Sequence, residues 1–493
     1  VSSPWLQARH AEHPPLREAQ SFDVAVIGGG IAGMTTALLL KRTGATVAVL
    51  EADRVASGAT GHNTAKATAL QSTMYSTIRR HRGTEAAQVY AAASAAGVEE
   101  IARLAGPSEA QRRPAYTFAV DESGAQAVEQ EIDAAREAGL PVVADELSEL
   151  PFPVTAAARL DDQIEFDPVR HTRALAGQVD GEGCAVFERT RALRLTEGSP
   201  CQIDTDGGTL TADRVVVATH APVWDRGLYF ARLEVQRSYC IAARLREEPP
   251  RGLSITAGEP IRSLRPRGDQ LVVCGEGHET GKHASGDDPY SRLEAFAREH
   301  WSVADITHRW SAQDLVPTDR FPMVGRYLPR SSRLFVATGF MKWGLTGGTF
   351  AGKVLADLLN SDENPWSEAL SPARLSPGSS WLHLARHNLS AGADFVADRL
   401  APATATDVRE LRPGTAAVIR EGADRTGVYR DEEGLLHCVS MRCTHLGCLV
   451  RFNSAETTWD CPCHGSRFAV DGTVLEGPAV RPLPAKPPPR PPG

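Results

Sequence analysis

The sequence predicts an α/β fold with a mostly antiparallel sheet inserted in it, followed by a small all-β domain. Three observations carry this. At residues 24–51 an apolar strand, a glycine-rich turn, a helix and a second strand follow one another. Apolar strands running into turns recur at 213–222 and 333–359. Residues 401–482 break into short strands with turns between them, and two of the loops hold cysteine and histidine.

A chain of 493 residues is too long for one core. Hydrophobic content of 42% and charged content of 23% are ordinary for a globular protein. The net charge of −8 argues against a nucleic-acid binder, and no polybasic run appears. Residues 401–493 are neutral, with 11 basic and 11 acidic side chains, so the first 400 residues carry the whole excess. No apolar run has the length of a membrane span, and VSSPWLQARHAEHPPLREAQ at the start has no apolar signal core. A cytoplasmic location is therefore expected.

DVAVIGGG is a continuous apolar run into glycines, as in a parallel strand buried on both faces. IAGMTTALLLKRTG follows as a helix with Ile31, Met34, Ala37 and Leu38 on its apolar face and Gly44 at its stop. TVAVLE is the second strand and ends in Glu51. The turn reads Gly28-x-Gly30-x-x-Gly33. Such glycines permit a tight turn and close approach of the backbone to a pyrophosphate at the helix N-terminus. This Rossmann-type unit is expected to hold a dinucleotide through Gly28, Gly30, Ile31, Ala32 and Gly33. Glu51 lies 18 residues past Gly33, where an acid accepts from a ribose hydroxyl. The motif alone serves FAD and NAD equally.

DRVVVATHAP (213–222) is a further buried strand, and RLFVATGFMKWGLTGGTFAGKVLADLL (333–359) is a strand, a glycine-rich turn and a helix. Together with SGATGHNTAKAT (57–68), EFDPVRHTRAL (165–175), VCGEGHETG (273–281) and RWSAQDLVPTDRFPMVG (309–325), these segments resemble the D-amino-acid-oxidase-like family of FAD oxidoreductases over roughly residues 20–360. The resemblance implies FAD. It implies that Ser57, Thr60, His62, Asn63, Lys66 and Thr219 line the cofactor, and that Gly339, Lys342, Trp343, Gly344, Leu345 and Thr346 lie beside its ring. His62 and Lys66 read equally well as solvated loop residues. A lysine at 342 would favour anionic reduced flavin or steer oxygen, unless it snorkels to solvent. Covalent attachment in this family often uses cysteine; 333–359 has none, so non-covalent FAD is expected. The family places substrate on a mostly antiparallel sheet, whose best strands are LEVQRSYCIAARL (233–245) and DQLVVCGEGHETG (269–281). Arg237 and Tyr239 share a face of the first, Glu276 and His278 a face of the second. Arg237 is a candidate carboxylate clamp, or a surface ion-pair partner, with Tyr239 and His278 beside it.

Cys184, Cys201, Cys240 and Cys274 are scattered and read as small buried apolar residues. Cys438, Cys443, Cys448, Cys461 and Cys463 crowd into 26 positions, which suggests a metal more than a disulfide framework. Structural zinc prefers a C-x₂₋₄-C pair in each knuckle. Cys443-x-His445 and Cys461-x-x-His464 instead resemble the two loops of the Rieske [2Fe–2S] family. The resemblance implies that Cys443 and Cys461 hold the buried iron and His445 and His464 the outer one. It also implies that Cys448 and Cys463 form the disulfide found in respiratory and photosynthetic members. Ser466 matches a serine that hydrogen-bonds a cluster sulfur and raises the potential. Phe468 replaces the tyrosine expected there, so the potential should fall below the high-potential members, within about −150 to +300 mV. Cys438 lies outside the pattern and reads as inert.

The expected organisation is an N-terminal extension (1–20), a FAD-dependent oxidoreductase domain with its substrate sheet (21–360), a partly helical junction (361–400) with a stripe of Leu382, Leu389 and Val396, a Rieske domain (401–482), and an extended, mobile proline-rich tail (483–493). The fused arrangement resembles a bacterial group of FAD oxidoreductases with a C-terminal Rieske domain. It implies hydride transfer from a small amine, amino acid or N-heterocycle to flavin, with electrons leaving singly through the cluster. Two alternatives are an oxidase that uses O₂ with a non-essential cluster, and an electron-transfer module serving an external donor or acceptor protein. A Rieske oxygenase is not expected, since no two-His-one-carboxylate domain is found.

Overall fold

The computed structural model describes residues 2–7, 12–106, 109–224, 226–282, 288–374, 408–421 and 424–489. The apolar runs form the centre of an eight-stranded sheet. Gln20–Ile27 lies between Thr209–Val217 and Val47–Leu50, all parallel, with Ala185–Phe187 beyond the latter. Leu334–Thr338 continues the parallel order on the other side, and Met323–Arg326 closes that edge antiparallel. Val24–Ile27 and Val47–Leu50 are buried on both faces, which is why they do not alternate.

Two helices, Ile31–Arg42 and Gly344–Asn360, pack side by side on one face of this sheet, each starting just past the carboxyl end of a strand. Small residues permit it: a Cβ on Gly352 would stand 2.7 Å from Thr35 Cγ2. The two helix N-termini therefore open on one crevice.

A nine-stranded sheet covers that crevice. Its order is Val303–Pro317, Leu233–Leu245, Gln270–Glu279, Arg262–Arg267, Leu253–Thr256, Gln111–Ala119, Ala156–Glu165 and Lys66–Ala67, with Val143–Asp145 paired to Ala156–Glu165. All pairs are antiparallel except Leu253–Thr256 with Gln111–Ala119. Tyr239, Ile241, Leu271 and Val273 pack against the helix Pro289–His300; Cys240, Ala242, Val272 and Trp310 form a separate cluster on the other face.

The C-terminal region is a three-stranded sheet (Thr415–Glu421, Asp424–Arg430, Leu436–Ser440) and a four-stranded one (Arg451–Asn453, Thr458–Asp460, Arg467–Phe468, Val474–Glu476). Trp459 and Phe468 are fully buried between them.

Both ends of the chain are better anchored than their composition suggests. Trp5 is buried, donates from its indole to the Asn63 carbonyl at 3.0 Å and lies under Arg265. The start of the proline-rich tail is hydrogen-bonded to the C-terminal domain. Ser440 N donates to Pro484 O at 2.8 Å and Lys486 N to Cys438 O at 2.9 Å. Lys486 interrupts the prolines and supplies the N–H group that the strand edge needs, while Pro484 contributes only its carbonyl. The helical stripe of Leu382, Leu389 and Val396 lies outside the described residues. Among those described, no helix is long and apolar enough to cross a membrane.

Candidate functional site

The crevice is shaped for a dinucleotide. Gly28 has φ +110°, and a Cβ there would stand 2.5 Å from Ala218 O. A Cβ on Gly33 would overlap the Gly28 carbonyl, whereas Gly30 faces open space apart from Thr60 Oγ1 at 3.1 Å. Two of these glycines are demanded by the protein's own packing and one is left for a ligand. Ile31 N donates to Thr60 Oγ1 (3.1 Å), and the Gly30 cap of that helix has no side-chain hydrogen bond. Glu51 accepts from Gly29 N (2.7 Å) and Asp53 N (2.9 Å), which fixes both carboxylate oxygens at the end of the second strand. Burial raises its pKa despite those bonds. Ser57 and His62 are half-buried at the crevice loop, and the His62 Nδ1 lies 3.0 Å from Gly58 O.

Some expected cofactor contacts are spent inside the protein. Asn63 donates to Ala59 O and Thr60 O and accepts from Ala65 N, so its amide shapes the loop. Thr346 is buried and bonded to the Thr68 backbone, and Leu345 packs with Ile31 and Ala67. Thr219 turns its hydroxyl to Ala221 O at 2.7 Å. These residues position the crevice walls.

The other wall carries charge. In the turn before the Gly344 helix, Gly339, Met341 and Lys342 all have positive φ (77°, 52° and 74°). Such non-glycine conformations cost about 1–3 kcal/mol each and concentrate at working sites. Trp343 is buried at the helix cap. Lys342 N donates to the Asp314 carboxylate, whose pKa burial raises against the pull of His220 and Lys342. Lys66 is buried and donates to Ser254 O (3.0 Å) and Ser263 Oγ (2.5 Å). Burial pulls its ammonium down to about 7. Cys240 and Cys274 face each other in register beside these lysines. Asp314 and Ser263 were not singled out in the sequence, and Cys240 and Cys274 were read only as small buried apolar residues, because nothing local marks their pairing across two strands.

The two Cys/His loops are built alike. Cys443 N donates to Cys448 O (2.8 Å) and Gly447 N to Cys443 O (3.0 Å); Cys461 N donates to Ser466 O (2.8 Å) and Gly465 N to Cys461 O (3.0 Å). Gly447 and Gly465 hold φ of 77° and 76°. The loops bring the thiols of Cys443 and Cys461 into hydrogen-bond contact, both buried, and set the rings of His445 and His464 5.1 Å apart. Cys448 and Cys463 are joined by a disulfide, Cα to Cα 6.5 Å, and their sulfurs lie within 4.8 Å of Cys461 Sγ. Ser466 is fully buried, accepts from Ala479 N at 3.0 Å and hydrogen-bonds Cys443. Two inner thiols and two outer imidazoles, with the loops tied together, suit a [2Fe–2S] cluster of mixed ligation.

The expected substrate clamp is instead a domain interface. Arg237 is 1% exposed and pairs with Glu456 at 3.2 Å and Glu476 at 3.8 Å, both from the C-terminal domain. Tyr239 OH accepts from Asn453 Nδ2 (3.3 Å) and lies 3.1 Å from His278 Nε2. Glu276 binds Arg262 at 2.7 Å. Strand alternation places Arg237, Tyr239 and His278 on the face that the C-terminal domain covers, not on the cofactor side. Glu456 also accepts from Tyr290 and Ser311. Phe230, just before Leu233–Leu245, packs on both cluster imidazoles, 5.6 Å from His445 and 4.8 Å from His464.

Comparison with known proteins agrees with this architecture. The family of FAD dependent oxidoreductases matches residues 23–358, and the Rieske [2Fe-2S] domain matches 402–487. A Bacillus subtilis (strain 168) protein named for a Rieske 2Fe-2S centre, YhfW, is 33% identical over 482 residues, 95% of this chain and 94% of its own. The cytochrome b6-f complex iron-sulfur subunit 1 of Synechocystis is 41% identical over 85 residues, 17% of this chain and 48% of its own. Glycine oxidase from Geobacillus kaustophilus shares the fold over 72% of this chain and all of its own, with TM-score 0.61 and 19% identity.

Proposed function

Because the chain belongs to the FAD-dependent oxidoreductases and carries a Rieske domain, we propose that it oxidises a small amine, amino acid or N-heterocycle at non-covalent FAD and passes the electrons singly to its own cluster. When bound, FAD supplies a two-electron hydride acceptor and the [2Fe–2S] cluster a one-electron carrier. Gly28, Gly30, Gly33 and Glu51 hold the dinucleotide, and Cys443, His445, Cys461 and His464 the cluster. Lys342 gives the crevice a positive charge for a substrate carboxylate. Lys66 Nζ, whose pKa burial lowers to about 7, would take a proton from a substrate ammonium.

The observation that carries the reading is the docking of the cluster loops on the sheet that covers the crevice. Gly465, next to His464, accepts from Gln313 Nε2 at 2.9 Å, and the neighbouring Asp314 faces Lys342. Two redox sites held in one packed unit are arranged for exchange between them, with any external acceptor protein served by the cluster. The test is anaerobic mixing with secondary amines, amino acids and N-heterocycles. Flavin bleaching followed by a reduced-cluster EPR signal is expected; bleaching with no cluster signal would leave an oxidase.

A further inference from the structure

His220 belongs to none of the expected site residues, yet the fold holds it with care. It follows Thr219 at the end of the strand Thr209–Val217, and Ala218 O of the same turn lies against Gly28. Its φ is 63°, the left-handed region that a histidine seldom occupies. Thr338 Oγ1 donates to its carbonyl at 2.6 Å, and its Nε2 lies 2.9 Å from Gln313 O. Gln313 is 3% exposed and both ends of its amide are used: Oε1 accepts from Thr280 Oγ1 (3.0 Å) and Nε2 donates to Gly465 O (2.9 Å). The two domains pack tightly at Gly465, since a Cβ there would overlap Val235.

We propose that His220 and Gln313 are the bridge along which electrons cross between the flavin crevice and the cluster. This rests on the relay proposed above. From Thr338, next to Gly339 on the ring side of the crevice, the path crosses one hydrogen bond to the His220 carbonyl, runs through His220 and over a second hydrogen bond to the Gln313 backbone, then along the Gln313 side chain and over a third to the residue after His464. No link is a through-space gap. Electron tunnelling falls off steeply with distance and more steeply across gaps than along bonds, so a continuous buried path of this kind outcompetes its surroundings. In each event the reduced flavin is oxidised by one electron and the cluster is reduced by one; the bridge carries no proton, and the proton on the flavin leaves through the crevice.

The test uses the full-length holoprotein and does not depend on knowing the substrate. The bound flavin is reduced by a light flash with EDTA as the sacrificial electron donor and without oxygen, and cluster reduction is followed optically and by freeze-quench EPR. Gln313→Met keeps the volume but removes both amide bonds; His220→Asn tolerates the left-handed backbone but shortens the reach to Gln313. Each should slow cluster reduction by roughly ten-fold, while flavin content, cluster EPR and both midpoint potentials stay at wild-type values. Wild-type rates in both variants would overturn the bridge and leave the relay standing. No flash-induced transfer in the wild type would overturn the relay and the bridge with it.

Discussion

Arg237 and Glu456 meet 3.2 Å apart across the domain junction, 1% and 9% exposed, although 219 residues separate them in the chain. The pair sits in a buried network with Arg467, Asp460 and Glu476. Removing one member strands a charge that water cannot reach. Glu456→Ala should therefore cost about 3–5 kcal/mol, and the two domains should unfold as separate transitions in calorimetry where the wild type shows coupling.

Gly30 separates cofactor binding from folding. Its backbone is not left-handed and a Cβ would meet only Thr60 Oγ1, at 3.1 Å. Gly30→Ala should fold normally and lose flavin, seen as protein that releases no FAD, with the cluster spectrum intact and the melting temperature of flavin-free wild type. Gly33→Ala should fail earlier, at expression, because its Cβ meets the Gly28 carbonyl.

In the cluster loops, replacing Cys443, His445, Cys461 or His464 should abolish the low-average-g EPR signal. Replacing Cys448 or Cys463 should leave a cluster that decays faster. Identical behaviour of all six variants would refute the division of roles.

Ser466 tunes the same site through its bond to Cys443. Ser466→Ala should lower the midpoint potential by about 40 mV, the one-electron equivalent of about 1 kcal/mol. Phe468→Tyr should raise it if its hydroxyl reaches a cluster sulfur. Protein-film voltammetry measures both.

Lys66 predicts a pH dependence. Burial lowers its pKa to about 7, so between there and the ordinary lysine value the unfolded chain binds more protons than the folded one. Stability should rise with pH across that window, having been lowest where the buried amine is charged. The rate of flavin reduction should rise through about pH 7 as Nζ becomes available to accept a proton. Lys66→Met should remove both effects, read from denaturation midpoints and stopped-flow bleaching.

The nucleotide turn and the cluster loops were legible because their chemistry is local. Glycines at Gly28 and Gly33, and cysteine and histidine at fixed spacing, state their constraint within a few residues. Arg237 is an ion-pair partner, as one of its two readings had it, but buried in the domain junction rather than at the surface. Alternation shows that Arg237 and Tyr239 share a face, but both faces of that sheet are covered, one by the crevice and the other by the C-terminal domain. Which face is which depends on contacts more than 200 residues away. His220, Gln313 and Glu456 were silent for the same reason: each acts through a partner remote in sequence. The strands Gln111–Ala119 and Ala156–Glu165 were missed because bulges and polar residues blur their period.

Phe230 seated on both imidazoles, with the Arg237–Glu456 network beneath, has a consequence for how turnover responds to its medium. A carrier domain that swings between donor and acceptor must stir solvent, and its rate falls as glycerol or sucrose thickens the buffer. Here the cluster loops are already packed against the flavin-binding region, which the proposed relay makes their donor. Transfer from flavin to cluster should be indifferent to viscosity, and drag should enter only where electrons leave for an outside acceptor.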